Sequence, residues 1–291
     1  MGVNRKGIIL AGGSGSRLFP ITNVVSKQLL HVYDKPMIYY PLSTLMLAGI
    51  REILVISTPD QIDLFKKLLG DGSHLGLHID YRIQEKPNGI AEALIIGETF
   101  LNKSPCLLIL GDNIFHGDNL SSTLFKICQK HEINTIFGYE VETPSRYGVI
   151  EFDKNFKILN IEEKPILPKT NYVIPGLYFY DSNVSKFAKT INPSKRGELE
   201  ITDLNLMYMK ENKLEVEILG RGTTWIDAGT FDSLLDASMF ISSIQKRQGS
   251  IISCPEEIAF KKGWISKNDL SILLKNLGEN KYSQYLFSLI S

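Results

Sequence analysis

The chain has 291 residues, 43% hydrophobic and 22% charged, and its 32 basic and 32 acidic side chains leave a formal net charge of zero. That is an ordinary globular composition, long enough for one large domain or a domain with an appendage. A neutral chain has no global pull on nucleic acid or anionic membrane, so any anion it binds must be held by a local cluster of cations.

No segment reaches the roughly 18–20 consecutive apolar residues of a membrane span. The apolar run behind residues 1–6 is too short for the heart of a signal peptide. The three cysteines, Cys106, Cys128 and Cys254, lie far apart with no CxxC pair, which predicts reduced, buried thiols in a cytoplasmic protein. The five histidines, at 31, 74, 78, 116 and 131, lack HExxH spacing and argue against a His-based zinc site.

In chain order, runs rich in Ile, Leu and Val predict strands over 7–11, 52–57, 78–83, 106–110 and 135–139. They are apolar on both faces, as buried parallel strands are. Between them, helical spacing predicts helices over 36–49, 60–69, 89–100 and 119–131, the first two stopped by Gly49 and Gly70. Pro41 marks either a kink in the first helix or its true start. This alternation predicts an α/β, Rossmann-like, doubly wound sheet. From Tyr147 the rhythm changes. Strands over 149–152 and 157–161 flank a hairpin-like turn at 153–156, and further strands are expected over 172–180 and 214–219. The sheet is therefore expected to be mixed, with inserted β elements. From Phe231 the pattern is helical: 231–248, then short helices to Ser291.

The stretch LAGGSGSRLFPITNVVSKQLL occupies residues 10–30. It packs Gly12, Gly13 and Gly15 with Ser14 and Ser16, then places Arg17 and Lys27. A Walker loop needs lysine beside its second glycine, and Lys27 lies twelve residues past Gly15. A dinucleotide fingerprint starting at Gly13 needs glycine at 18, where Leu18 stands. Two readings remain: a tight strand-to-helix connection, or a loop whose backbone N–H groups approach an anion that Arg17 and Lys27 neutralise. Asp112 follows the run 106–110 at the carboxyl end of a strand, where open α/β sheets bind ligands. Taken alone, an Asp in this place is more often a helix cap.

The same stretch resembles the signature LAGGxGxRLxPxTxxxxKxLL of the sugar-nucleotidyltransferase family, Pro20, Thr22 and Lys27 included. Further motifs agree in order: DKPMIYYPLSTLMLAGIREILVIST (34–58), LGDNIF (110–115), RYGVIEFD (146–153), EEKP (162–165), GLYFYD (176–181), RGELEITD (196–203), CPEEIAFKKGWI (254–265) and YSQYL (282–286). The resemblance runs from about residue 5 to 290 and is to the thymidylyl-transferring members. It implies a nucleotidyltransferase core over 1–230, with nucleotide-binding residues in about 1–145 and sugar-binding residues in about 146–230. Residues 231–291 would form a helical extension for oligomer contacts and regulation.

The reaction so implied joins dTTP and glucose 1-phosphate to give dTDP-glucose and pyrophosphate, with Mg²⁺ as cofactor. It would open a dTDP-rhamnose-type deoxysugar supply for cell-surface polysaccharide. A homotetramer with feedback inhibition by a dTDP-sugar such as dTDP-rhamnose is also implied, and no nucleic-acid or membrane partner. The alternative is another nucleoside triphosphate or sugar 1-phosphate. The attacking phosphate oxygen is already ionised at neutral pH, so no general base is needed. Catalysis reduces to positioning and charge neutralisation.

The resemblance implies a role for each matching residue. Asp112 and Asp227 would hold Mg²⁺. Arg17 would clamp the triphosphate and Lys27 would share its charge. Lys164 would hold the sugar phosphate, aimed by Pro165, which biases its predecessor to an extended backbone. The dTTP site would comprise Gly12, Gly13, Ser14, Gly15, Ser16, Arg17, Lys27, Gln28, Gln84, Pro87, Gly89 and Asp112. Gln84 would offer a donor and an acceptor to the imide edge of thymine; without the resemblance it reads equally as a solvated strand-end residue. Gly89 would permit close approach at a helix start. The sugar-phosphate site would comprise Asn113, Tyr147, Gly148, Glu163, Lys164 and Ile174. Gly220, Arg221, Glu257, Ile258 and Lys261 would form the regulatory site, or the segment around Ile258 and Phe260 simply covers the core. Departures from the family pattern are Ser16 for Thr, His31 for Pro, QEKPNGIAEA (84–93) for QPSPDGLAQA, Pro175 and Ala228 for Thr, and Lys261 for Arg.

Overall fold

The computed structural model describes residues 4–13 and 15–291, so the expectation for Ser14 lies outside the described residues. The strands are β1 (Lys6–Leu10), β2 (His31–Val32), β3 (Lys35–Pro36), β4 (Glu52–Ser57), β5 (His78–Ile83), β6 (Cys106–Leu110), β7 (Asn113–Gly117), β8 (Asn134–Glu140), β9 (Gly148–Phe152), β10 (Ile158–Glu163), β11 (Tyr172–Val173), β12 (Leu177–Tyr180), β13 (Leu214–Ile218) and β14 (Thr223–Asp227). The helices are α1 (Tyr39–Leu47), α2 (Ile62–Leu69), α3 (Glu92–Ile96), α4 (Glu98–Leu101), α5 (Leu120–Cys128), α6 (Val184–Ala188), α7 (Ile201–Lys210), α8 (Phe231–Gln248), α9 (Pro255–Lys261), α10 (Lys267–Leu277) and α11 (Lys281–Ser288).

Four parallel strands, in the order β5–β4–β1–β6, form the doubly wound half. Alternate residues of β1, β4 and β6 enter opposite layers, whereas β5, expected to be apolar on both faces, is an edge strand that fully buries only Ile79. Ile9, Ile53, Val55, Leu107 and Ile109 join one core, and Ile8, Leu10, Leu54, Cys106 and Leu108 the other. That explains runs that are apolar on both faces. The chain winds outward from β1 through β4 to β5, then returns on the other side of β1 as β6. The direction of winding reverses between β1 and β6, so a crevice opens beyond their carboxyl ends. There the two loops touch: the Gly111 N–H donates to the Leu10 carbonyl at 2.9 Å.

The second half continues the same sheet in mixed sense. β12 is antiparallel to β6 and β8, and β13 is parallel to β8. The single strand expected over 172–180 is broken. β11 pairs one end of β8 and also β9, whereas β12 pairs the other end of β8. Pro175 lies in the break and has no N–H for a ladder. Other expectations shift less. Pro41 lies in the first turn of α1, where its missing N–H has no intrahelical role, so it marks the start and not a kink. The helix expected over 89–100 is two short ones meeting at Gly97.

The β7–β14 pair, the β2–β3 pair and α7 have no counterpart in the sequence reading. α8 begins at Phe231 behind a capping box made by Thr230 and Ser233. Its buried Ala237 and Ile241, with Ile252, pack against Val32, Met37, Tyr40, Ile114 and Ala228. Cys254, Ala259, Leu270 and Leu286 extend the core layer that contains Ile9. The three thiols are free and buried. Among the described residues, no helix is long and apolar enough to cross a membrane.

Candidate active site

The loop after β1 is shaped by short 3₁₀ turns at Ser16–Leu18, Ile21–Asn23 and Lys27–Leu29. Gly15 enters it at φ 58°, and a Cβ there would sit 2.8 Å from the Thr22 methyl, so both conformation and space require glycine. Thr22 locks the turn by donating to the Gly15 carbonyl at 2.9 Å. Arg17 projects from the first turn over the backbone of Gly229, where an added Cβ would lie 2.6 Å from its guanidinium and 2.8 Å from Asp227 Oδ1. Gly229 thus lets Arg17 and Asp227 meet.

Asp112 leaves β6, and Asp227 ends β14. The antiparallel β7–β14 ladder sets Asp227 opposite Asn113, and the Ala228 N–H donates to the Asp112 carbonyl at 3.0 Å. Two carboxylates distant in sequence are thereby made neighbours. Their acidities part. Burial pushes both up. For Asp112 the Lys27 ammonium, as charge and as donor, and the Asn113 amide outweigh burial and hold it below the usual carboxylate value. For Asp227 burial and the Asp112 charge prevail over Arg17 and Lys27, and it sits above that value. Asn113 is itself held. Its Oδ1 accepts from the Gly176 N–H (3.0 Å) and from Trp225 Nε1 (2.6 Å), so its Nδ2 must face Asp112 Oδ1, at 3.0 Å.

Two adjoining clefts meet here. The larger, of about 630 Å³, is lined by Ser16, Arg17, Asp112, Asn113, Tyr147, Gly148, Glu163, Lys164, Ile174 and Asp227 among others. The smaller, of about 190 Å³, is lined by Gly12, Gly13, Lys27, Gln28, Gln84, Pro87, Gly89 and Asp112. Leu110, Ile90, Asp112 and Glu198 border both. In the larger cleft Glu163 accepts from Thr202 Oγ1 at 2.5 Å and lies 3.6 Å from Arg196. Burial, helped by Asp227, raises the Tyr147 phenol, which stays a neutral donor edge-on to Trp225.

Several details differ from the sequence reading. Lys164 is not extended: its φ is 45°, because its N–H donates to the Tyr147 carbonyl (3.0 Å) as β10 ends in a turn. Gln84 is buried, and its Nε2 already donates to Glu92 Oε2 (2.7 Å) and the Gly89 carbonyl (3.3 Å). Gly89 makes room for the backbone of Leu199, whose carbonyl oxygen would lie 2.4 Å from an added Cβ, and the helix starts three residues later at Glu92. Of the expected regulatory residues, Glu257, Ile258 and Lys261 line a separate pocket of about 520 Å³, and Gly220 lines another of about 140 Å³. The two pockets share Leu120; Arg221 is on the turn beside Gly220.

Arg146, Trp225, Thr202, Tyr178 and Glu198 also line the large cleft, and the sequence reading gave none of them a role. Arg146, Tyr178, Glu198 and Thr202 lie inside motifs already quoted, and Trp225 lies two residues before Asp227, so adjacency was the available signal.

The chain belongs to the nucleotidyl transferase family, whose model matches residues 6–244. Within that family it is 55% identical to the glucose-1-phosphate thymidylyltransferase of Xanthomonas campestris pv. campestris, over 98% of this chain and 97% of that one. It is 54% identical to the enzyme of the same name from Neisseria gonorrhoeae, over 98% and 99%. A Bacillus anthracis protein described as a glucose-1-phosphate thymidylyltransferase and crystallised with sucrose superposes with a TM-score of 0.75 at 41% identity, over 81% of this chain and 94% of that one.

Proposed function

We propose that the chain transfers a thymidylyl group from dTTP to glucose 1-phosphate, releasing pyrophosphate and forming dTDP-glucose. The observation that carries the reading is the meeting of Arg17, Asp112 and Asp227 where the two clefts join. The smaller cleft would take the nucleotide and the larger the sugar phosphate, so that the α-phosphorus lies between them. The names of the relatives support the same substrate pair.

The residues present fit a divalent cation. Burial and repulsion from Asp112 raise Asp227 against the pull of Arg17 and Lys27, which marks two acidic groups pressed together. Among the described residues no group of three or more His, Cys, Asp or Glu is placed to hold a metal ion. A pair of hard oxygen donors, completed by substrate phosphates and water, suits Mg²⁺. When bound, the ion would draw charge from the phosphate oxygens. The protein's own part is then positional. Asn113 and Trp225 orient Asp112. Arg17 presents a planar fork to the departing pyrophosphate. Lys164 and Arg146 offer cations at the sugar-phosphate side, and Glu163, Tyr147 and the Gly148 backbone offer partners for sugar hydroxyls.

The regulatory reading joins this proposal: a dTDP-sugar would occupy the pocket of Glu257, Ile258 and Lys261, in a homotetramer that supplies a deoxysugar route. The division at residue 230/231, core before and extension after, is part of the same proposal. The test is a panel of nucleoside triphosphates and sugar 1-phosphates with pyrophosphate release as readout. The reading expects dTTP with glucose 1-phosphate to be the best pair, dependent on added Mg²⁺. Equal or better turnover with a different pair would replace it.

A further inference from the structure

We propose that Glu92 is a positioning residue that fixes which face of the Gln84 amide the nucleotide cleft sees, and so selects pyrimidines whose ring N3 carries a hydrogen. The inference rests on the nucleotide reading above and concerns a residue that reading leaves without a role. Gln84, at the end of β5, is only 3% exposed. A glutamine amide can offer either a carbonyl or an NH₂ group to a base, and the choice decides which bases pair with it.

Here the surroundings make the choice. Glu92 Oε2 lies 2.7 Å from Gln84 Nε2, and the Gly89 carbonyl lies 3.3 Å from the same nitrogen. A carboxylate and a backbone carbonyl only accept. Turning the amide over would set its oxygen against both of them and leave two acceptors facing a third. Both N–H groups are therefore committed on that side. The carbonyl is left on the side of Gly12, where an added Cβ would stand 2.8 Å from Oε1. Glu92 is itself braced: Asn88 Nδ2 donates to its Oε1 at 2.9 Å, and the Asn88 carbonyl accepts from the Leu199 N–H at 2.6 Å.

The cleft thus receives an acceptor from Gln84 and no donor. Thymine and uracil answer it with N3–H. Cytosine carries its donors on the 4-amino group instead; placed as thymine is, it turns an unprotonated N3 to that oxygen, and two lone pairs face each other. The expectation that Gln84 supplies both a donor and an acceptor is replaced by an acceptor alone.

The test measures kcat/KM for dTTP and dCTP, each with glucose 1-phosphate, in the unmodified chain and in E92Q, E92L, E92K and N88A. The unmodified chain should prefer dTTP. E92L removes the acceptor, and the preference should fall at least about tenfold, through KM more than kcat, because Gln84 meets the base and not the reacting phosphorus. E92K presents a donor, which turns the Gln84 carbonyl away from the cleft, so the preference should fall further, towards dCTP. E92Q can still present a carbonyl to Gln84 and should recover most of the preference. N88A, at an exposed residue, should loosen Glu92 and move the ratio the same way by less; it decides the matter if the Glu92 variants do not fold. An unchanged dTTP-to-dCTP ratio in the folded variants overturns the proposal. Absence of any dTTP preference in the unmodified chain overturns the nucleotide reading first, and the two failures are read on different proteins.

Discussion

The cleft beyond β1 and β6 and the pocket beneath the C-terminal helices both gather acidic and basic side chains, but they settle charge in opposite ways. In the cleft, Asp112 and Asp227 are pressed together by the β7–β14 ladder; Lys27 pairs with Asp112, while Arg17 and Lys27 together do not offset what burial and Asp112 do to Asp227. In the distal pocket, Glu257 and Lys261 are one helical turn apart and pair at 2.6 Å. The first site is assembled from strands remote in sequence, and its Asp227 stays raised despite Arg17 and Lys27 nearby. The second is lined by α1, β7, α5 and residues 248–262; its Glu257–Lys261 pair closes within one helix, and Lys262 beside it donates to the Leu47 carbonyl. Unbalanced, buried charge held by a rigid sheet suits a reacting site. A self-paired set suits binding that is conditional on displacing a local partner.

The largest effects should come from breaking the unbalanced site. Asp112→Asn and Asp227→Asn each remove one of two anionic donors, and pyrophosphate release should fall at least about 1000-fold in each. Near-normal turnover in either would remove the metal role assigned to it. Arg17→Ala takes away the fork that meets the leaving group and should cost about 100–1000-fold in kcat. Lys in its place should recover little, because a point charge lacks the planar pair of donors. Full recovery by Lys would reduce Arg17 to a general positive charge.

A subtler break tests whether the sheet's rigidity matters. Trp225→Phe keeps the ring against Tyr139 and Tyr147 but removes the indole donor to Asn113. Asn113 keeps only the Gly176 N–H on that oxygen, and Asp112 loses part of its bracing. Loss of one hydrogen bond of this kind is worth about 0.5–1.5 kcal/mol, so kcat should fall by up to about tenfold with the fold intact. The apparent Mg²⁺ requirement should rise in parallel. A change confined to KM for glucose 1-phosphate would instead make Trp225 a wall of the sugar cleft.

The same contrast explains what was legible in the sequence. Strands β4 and β6 and helix α8 fall where residue pattern puts them, because β4 and β6 are continuous apolar runs buried on both faces and α8 buries Ala237 and Ile241 between its Thr230 cap and Gly249; β5 also falls in place, though only Ile79 of it is buried. β7 and β14 escaped it. NIFHG and TTWID are short and mix polar, aromatic and aliphatic residues without alternation, so the ladder joining Asn113 to Asp227 is a tertiary fact. The residues proposed to carry the chemistry were nonetheless visible, since Arg17 and Asp112 lie inside the quoted motifs and Asp227 inside WIDAGT (225–230). Their supports were less so. Nothing local says that Trp225 reaches Asn113, 112 positions away, or that Glu92 decides the orientation of Gln84. The backbone of Lys164 went the other way from the proline rule because a long-range hydrogen bond to Tyr147 outweighed a local bias.

The smallest effect should come from opening the self-paired site. Lys261 is mostly exposed, while Glu257 is nearly enclosed in the pocket wall. A solvent-facing pair of this kind holds with about 0.2–1 kcal/mol, so Glu257→Gln should leave stability almost unchanged and free the ammonium for another anion. If the pocket takes the diphosphate of a dTDP-sugar, inhibition by that sugar should tighten a few-fold in Glu257→Gln and weaken in Lys261→Ala. Neither substitution touches the cleft, so kcat with dTTP should stay level in both, and inhibition assays against dTDP-rhamnose separate the two sites. Inhibition that ignores both changes would place the inhibitor elsewhere, with the catalytic cleft as the first place to look, since any dTDP-sugar resembles the product. A competitive pattern against dTTP would then replace the distal pocket by product inhibition, and the Glu257–Lys261 pair would be a helix-stabilising contact with no ligand of its own.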